Sequence, residues 1–167
     1  MSFNEELIKE LEQESKSTRK ILERIPVDTW DWKPHEKSMS MKTLALLVAQ
    51  MFGWPPKMAR TAELDFENAE GWFSDVKTTE ELVAELDKNV ADLRETLAKT
   101  DEATMNENWV MRKGETILWD VPRKEAIRNT ISHMAHHRGQ LSVFLRLKDI
   151  DVPSIYGPTA DDSSFEM

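Results

Sequence analysis

Cysteine is absent from the 167 residues. That gap removes disulfides, a thiol nucleophile and thiolate-ligated metal together, and leaves histidine, aspartate and glutamate as the strong ligands on offer. Glycine is scarce, at five residues, and no Val/Ile/Thr-rich alternating run occurs outside one short stretch, so the pattern speaks against a sheet protein. No apolar run approaches the roughly 20 residues of a membrane span. The opening Met1-Ser2-Phe3-Asn4-Glu5-Glu6 lacks the basic and apolar regions of a signal peptide, so the cytoplasm is the expected compartment. Positive charge is outweighed: 22 Lys and Arg face 31 Asp and Glu, a net charge of −9 with a pI near 5.0. Nucleic acid and anionic membrane are disfavoured as partners, since both call for clustered cations.

What remains is 40% hydrophobic and 32% charged, the balance of amphipathic helices with solvated outer faces. Ser2-Phe3-Asn4-Glu5 reads as a capping box ahead of an apolar stripe at Leu7, Ile8, Leu11, Ile21 and Leu22, a first helix running to about Arg24 before Pro26. The following loop carries Trp30, Trp32, Pro34 and His35; Trp32 either lines a pocket or packs beneath the loop. Ser38 or Ser40 caps a second helix with Met41, Leu44, Leu47, Val48, Met51 and Phe52 on one face, which Pro55-Pro56 must kink or end. Residues from about Thr61 to Lys77 are acidic and irregular, a connection long enough to be a lid, a crossover, an interface or plain padding. Thr78-Thr79-Glu80-Glu81 opens a third helix that ends near Lys99. Trp109 to Trp119 alternates around Lys113-Gly114, as a small hairpin or an extended crossover. Pro122 suits the first turn of a fourth long helix reaching about Lys148, in which Gly139 costs about 1 kcal/mol relative to alanine and is read as room for another backbone. The expected architecture is all-α: one four-helix bundle over residues 1–160 with long crossovers, and a frayed tail at 161–167.

The chemically pointed stretch lies on that last helix. Three of the four histidines fall within Ile131-Ser132-His133-Met134-Ala135-His136-His137-Arg138. His133 and His137, at i and i+4, lie one above the other beside the apolar stripe Ile127, Ile131, Met134, Leu141 and Leu145, whereas His136 points well round the helix. Two imidazoles so spaced offer two ligands to one metal, or simply line an edge between core and solvent. Met134 follows His133, so this is not HExxH and a zincin mechanism is out. Arg138 either orients an anionic group or pairs with a neighbouring acidic residue, and its place in the apolar stripe, where it would need a partner, favours the pairing. Trp32, Trp54, Trp119 and Tyr156 are candidate apolar walls of a pocket, with bundle core and loop anchors as their alternative use.

His133-Met134-Ala135-His136-His137-Arg138-Gly139-Gln140-Leu141, followed by Leu145-Arg146 and by Val152-Pro153-Ser154-Ile155-Tyr156-Gly157-Pro158, resembles the C-terminal signature of the DinB/YfiT-like superfamily. Trp32-Lys33-Pro34-His35-Glu36-Lys37-Ser38-Met39-Ser40 resembles its first interhelical loop, so the likeness runs over nearly the whole chain. The resemblance implies a four-helix bundle, often a homodimer, with a divalent metal (Zn or Ni) on three histidines. Two of them correspond to His133 and His137. It also implies thiol-dependent isomerase, S-transferase or hydrolase chemistry with a low-molecular-weight thiol or other small molecule. The third ligand position of the family, on the second helix, corresponds to Leu47, and leucine cannot bind a metal. Two hypotheses follow: a metal enzyme with an impaired site completed by another group, with His35, Glu63, Asp65 and Glu67 as candidates; or a metal-free, non-catalytic dimeric bundle retained, or engineered, for small-molecule binding or scaffolding.

Overall fold

The computed structural model describes residues 2–69 and 73–164. Helix α1 spans Phe3–Leu22 and starts where the sequence places it: Ser2 Oγ accepts from the Glu5 amide, while the Glu5 carboxylate accepts from the Ser2 amide at 2.7 Å. Its buried face, led by Leu7, Leu11, Ile21 and Leu22, turns toward the core. Helix α2, Met41–Gln50, is capped by Ser40 through the Thr43 amide. It passes through a 3-10 turn at Met51–Gly53 into α3, Trp54–Arg60. The break therefore precedes Pro55 and Pro56, which sit in the first turn of α3, where a missing N–H costs no helical hydrogen bond. Helix α4, Thr79–Lys99, and helix α6, Arg123–Leu147, complete the long elements, with the short α5, Glu102–Asn106, between them. Helices α1, α2, α4 and α6 pack on one another around a continuous core that includes Met41, Leu44, Phe52, Leu86, Leu93, Ile127, Met134 and Leu141.

The all-α expectation needs correction. A three-stranded sheet flanks the helices, with β1 at Glu63–Asp65, β2 at Asn108–Lys113 and β3 at Thr116–Pro122, in the order β1-β2-β3. Of the two alternatives for Trp109 to Trp119, the hairpin is the one formed: strands β2 and β3 are closed by Gly114-Glu115 with Gly114 at φ 56, a left-handed conformation that favours glycine in a two-residue turn. Strand β1 runs parallel to β2, with Glu63 opposite Val110 and Asp65 opposite Arg112. It comes from the connection read as irregular, of which residues 70–72 lie outside the described residues. The fold is mostly helical with this small sheet. No described helix is long and apolar enough to cross a membrane.

Two buried arginines tie the elements together. Arg123, at the start of α6, donates to the carbonyls of Met58 (2.8 Å), Thr61 (3.0 Å) and Thr104 (2.9 Å) and to the Glu107 carboxylate (2.8 Å). It thereby satisfies carbonyls that the end of α3 leaves without helical partners. Arg138, only 2% exposed, finds the acidic partner the sequence calls for in Glu14 of α1, at 2.5 Å. It also donates to the Glu14 carbonyl, Thr18 Oγ1 and the Tyr156 hydroxyl.

Gly139 does not make room for a neighbour. A Cβ built there meets nothing within 4 Å, and the position is exposed. Gly139→Ala is therefore expected to stabilise the chain by about 0.5–1 kcal/mol, as a rise in the urea midpoint at unchanged m-value. Beyond α6, Asp161 accepts from the Val152 amide at 2.9 Å and pairs with Arg146. Asp162 accepts from the Ser154 amide at 2.9 Å. The stretch read as a frayed tail is thus hydrogen-bonded through Ser164, and residues 165–167 lie outside the described residues.

Candidate functional site

The exposed flank of α6 carries the site. Because α6 continues through this stretch without a break, residues four apart stack on consecutive turns. His133 Nε2 and His137 Nε2 lie 2.9 Å apart, with ring centroids at 4.7 Å. His137 Nδ1 is 2.9 Å from Gln140 Oε1, and the Gln140 amide nitrogen is 3.1 Å from His136 Nε2. One proton arrangement satisfies the whole chain. In it His137 donates from Nδ1 to Gln140 and accepts at Nε2 from His133, while the Gln140 amide donates to His136.

The Trp54 ring, from the first residue of α3, lies 5.5 Å from the His133 ring, tilted by 58°. Burial against such neighbours pushes the His133 pKa below the ordinary imidazole value, and the adjoining His137 and His136 push it the same way. The neutral ring is the form the fold favours. Acidification from about 6.5 protonates His133 in the unfolded chain before the folded one, so stability should fall as pH drops through that range. An NMR titration is expected to give His133 a pKa below that of a model imidazole.

The other candidates from the sequence are dispersed. Trp54 joins the histidine pair directly. Leu47 precedes Trp54 by seven residues on α2 and is half-buried, packed against the core. Trp32 packs edge-on against Phe144 at 5.5 Å, with the Lys148 ammonium 5.7 Å from its ring. Trp119 lies on β3 opposite Met111. Tyr156 donates to Glu14 Oε2 at 2.8 Å and stacks with Arg138. Burial, then the Glu14 contact, raises its hydroxyl above the usual pKa.

The conceivable replacement ligands have neighbours other than the histidine pair. Glu63 and Asp65 both pair with Arg112, at 2.5 and 2.8 Å. Asp65 also accepts from the amides of Gly114 and Glu67, which hold its carboxyl below the usual range. Glu67 lies beside Gly114. His35 is exposed and accepts from the Lys37 amide at 3.1 Å. Among the described residues no group of three His, Asp or Glu side chains is arranged to hold a metal.

The donor set can be judged against a divalent cation. A tetrahedral ion with bonds of 2.0–2.1 Å would set two ligand nitrogens about 3.3 Å apart, close to the spacing seen. Gln140 on His137 Nδ1 is the kind of outer partner that orients a ligating imidazole. Yet two nitrogens fall short of the three protein ligands of a catalytic zinc site, and one lone pair is already used in the contact between the rings. The described residues supply two such donors and no third.

The sequence matches the family model described as DinB family over residues 1–166, and the chain belongs to the DinB family. Its fold is similar to that of a DinB-like protein from Bacillus cereus, with a TM-score of 0.68 and 16% identity over 91% of this chain and 97% of that one. A DinB-like protein from Bacillus subtilis gives a TM-score of 0.66 and 18% identity, over 86% of this chain and 92% of the other. No curated protein matches the chain.

The sequence marks neither Arg123 nor Met58, Trp109 and Met111 as candidates. The signal for Arg123 was present, an arginine immediately after Pro122 at the start of an amphipathic helix. Nothing in the local spacing points from there to carbonyls some 60 residues earlier.

Proposed function

We propose that this chain is a DinB-type four-helix bundle whose metal centre has lost one of its three ligands at Leu47, and that its role is metal-independent binding of small molecules. The observation that carries this is the pairing of His133 with His137. The two Nε2 atoms hydrogen-bond to each other, and no third ligating side chain joins them among the described residues. The seven-residue spacing from Leu47 to Trp54 supports Leu47 as the lost position. About two turns separate them, through the 3-10 turn at Met51–Gly53, which brings a side chain back to roughly the same side, and Trp54 is the residue that meets His133. A leucine there adds to the apolar core and contributes no lone pair.

The competing reading is a divalent-metal enzyme of thiol transfer, isomerisation or hydrolysis. The contact of Gln140 with His137 Nδ1 favours it, because it leaves one imidazole already oriented as a ligand. An assay of low-molecular-weight thiol conjugation to a panel of electrophiles, with and without added Zn²⁺ or Ni²⁺, separates the two. The expected result is no metal-stimulated turnover. Stimulated turnover that disappears in the His133→Ala, His137→Ala double variant would overturn the proposal.

A further inference from the structure

A cavity of about 220 Å³ lies between α3 and the face of β1 and β2. Trp54, Met58, Leu64, Trp109 and Met111 form most of its wall. Two polar groups of the wall are paired with each other and with the backbone: Trp109 Nε1 donates to Thr61 Oγ1 at 3.3 Å, and Thr61 Oγ1 donates to the Lys57 carbonyl at 2.9 Å. The Glu63 carboxylate is held by Arg112. The Lys57 ammonium differs, since among the described residues it has no anionic partner, and Lys57 is exposed.

The geometry points to a binding site for a small aromatic monocarboxylate, its ring system between Trp54 and Trp109 and its carboxylate on Lys57. Two indoles and two thioethers suit a flat aromatic body, through offset or edge contacts and through sulfur–ring contacts. The volume falls below the 300–1,000 Å³ of pockets for drug-sized ligands. A cavity of that size suits a small occupant with a body of one or two rings. The one cation of the wall, unpaired among the described residues, selects one negative charge. Trp54 also touches the His133 ring, so an occupant would be felt at the histidine pair. The site stands apart from the fate of the metal centre, and its test is run in chelator.

The purified protein, in EDTA, would be titrated with 2-naphthoate and with neutral 2-naphthamide, following tryptophan fluorescence and the indole N–H resonances. Saturable binding of the acid that shifts both Trp54 and Trp109 is expected. The acid should bind more tightly than the amide, and Lys57→Gln should remove that preference by weakening the acid roughly fivefold, the worth of an exposed ion pair at its upper range. Three results would overturn the proposal: no saturable binding of the acid, binding that leaves the two indoles unmoved, or acid and amide binding equally in the unmodified protein. Lys57 is exposed, so loss of fold would not confuse the comparison; circular dichroism of the variant checks this.

Discussion

Glu14→Ala is expected to lower stability by about 3–5 kcal/mol, because it leaves the Arg138 guanidinium buried without its counter-charge. For a chain of this size the melting temperature should fall by about 10 °C. Arg138 lies in the middle of α6, and its donors reach the Glu14 carboxylate, the Glu14 carbonyl, Thr18 and Tyr156. The group therefore joins α1, α6 and the C-terminal loop in one network. Tyr156→Phe removes only one hydroxyl from it and should cost far less, about 1 kcal/mol. The double variant Glu14→Leu, Arg138→Met should recover much of the loss, since a buried ion pair is often replaceable by apolar side chains of similar size. Urea unfolding of the four proteins checks the order. If Glu14→Ala proves as mild as Tyr156→Phe, the ion pair is not what holds the C-terminal loop and α1 to α6.

Leu47→His is expected to tighten zinc or nickel binding by two orders of magnitude or more. Structural four-ligand zinc sites in small peptides bind with about 10–16 kcal/mol in all, so each ligand's share is about 3 kcal/mol, or more than 100-fold. Calorimetric titration of the unmodified and variant chains reads this directly. The gain must vanish in Leu47→His combined with His133→Ala, because the new imidazole would then have only His137 as a partner. An equal gain with His133 removed would mean that position 47 faces some other donor.

The long helices were legible because their apolar residues recur at helical spacing and their starts are marked by Ser2, Ser40 and Thr78, signals that act within one or two turns. The histidine pair was legible for the same reason, since i and i+4 on a helix are neighbours whatever the rest of the chain does. The acidic partner of Arg138 was foreseeable as a necessity, but not as Glu14, which is 124 residues away. Strand β1 was not legible. Three residues, Glu63, Leu64 and Asp65, are too few to show alternation, and they are extended because β2 lies beside them and Arg112 draws in both carboxylates. The cavity escaped for a related reason. Its two indoles, Trp54 and Trp109, come from elements far apart in the chain, brought together by the pairing of β1 with β2 and by contacts such as that of Trp109 with Thr61.

The proposal that this DinB chain has given up its metal is tested most directly by the metal content and affinity of the unmodified, tag-free protein. Elemental analysis after dialysis against chelex-treated buffer should give far less than one equivalent of zinc or nickel, and titration should show only weak binding that His137→Ala removes. One equivalent of metal surviving dialysis would contradict the account: a third ligand would then complete the site, and thiol-transfer chemistry would become the function to pursue.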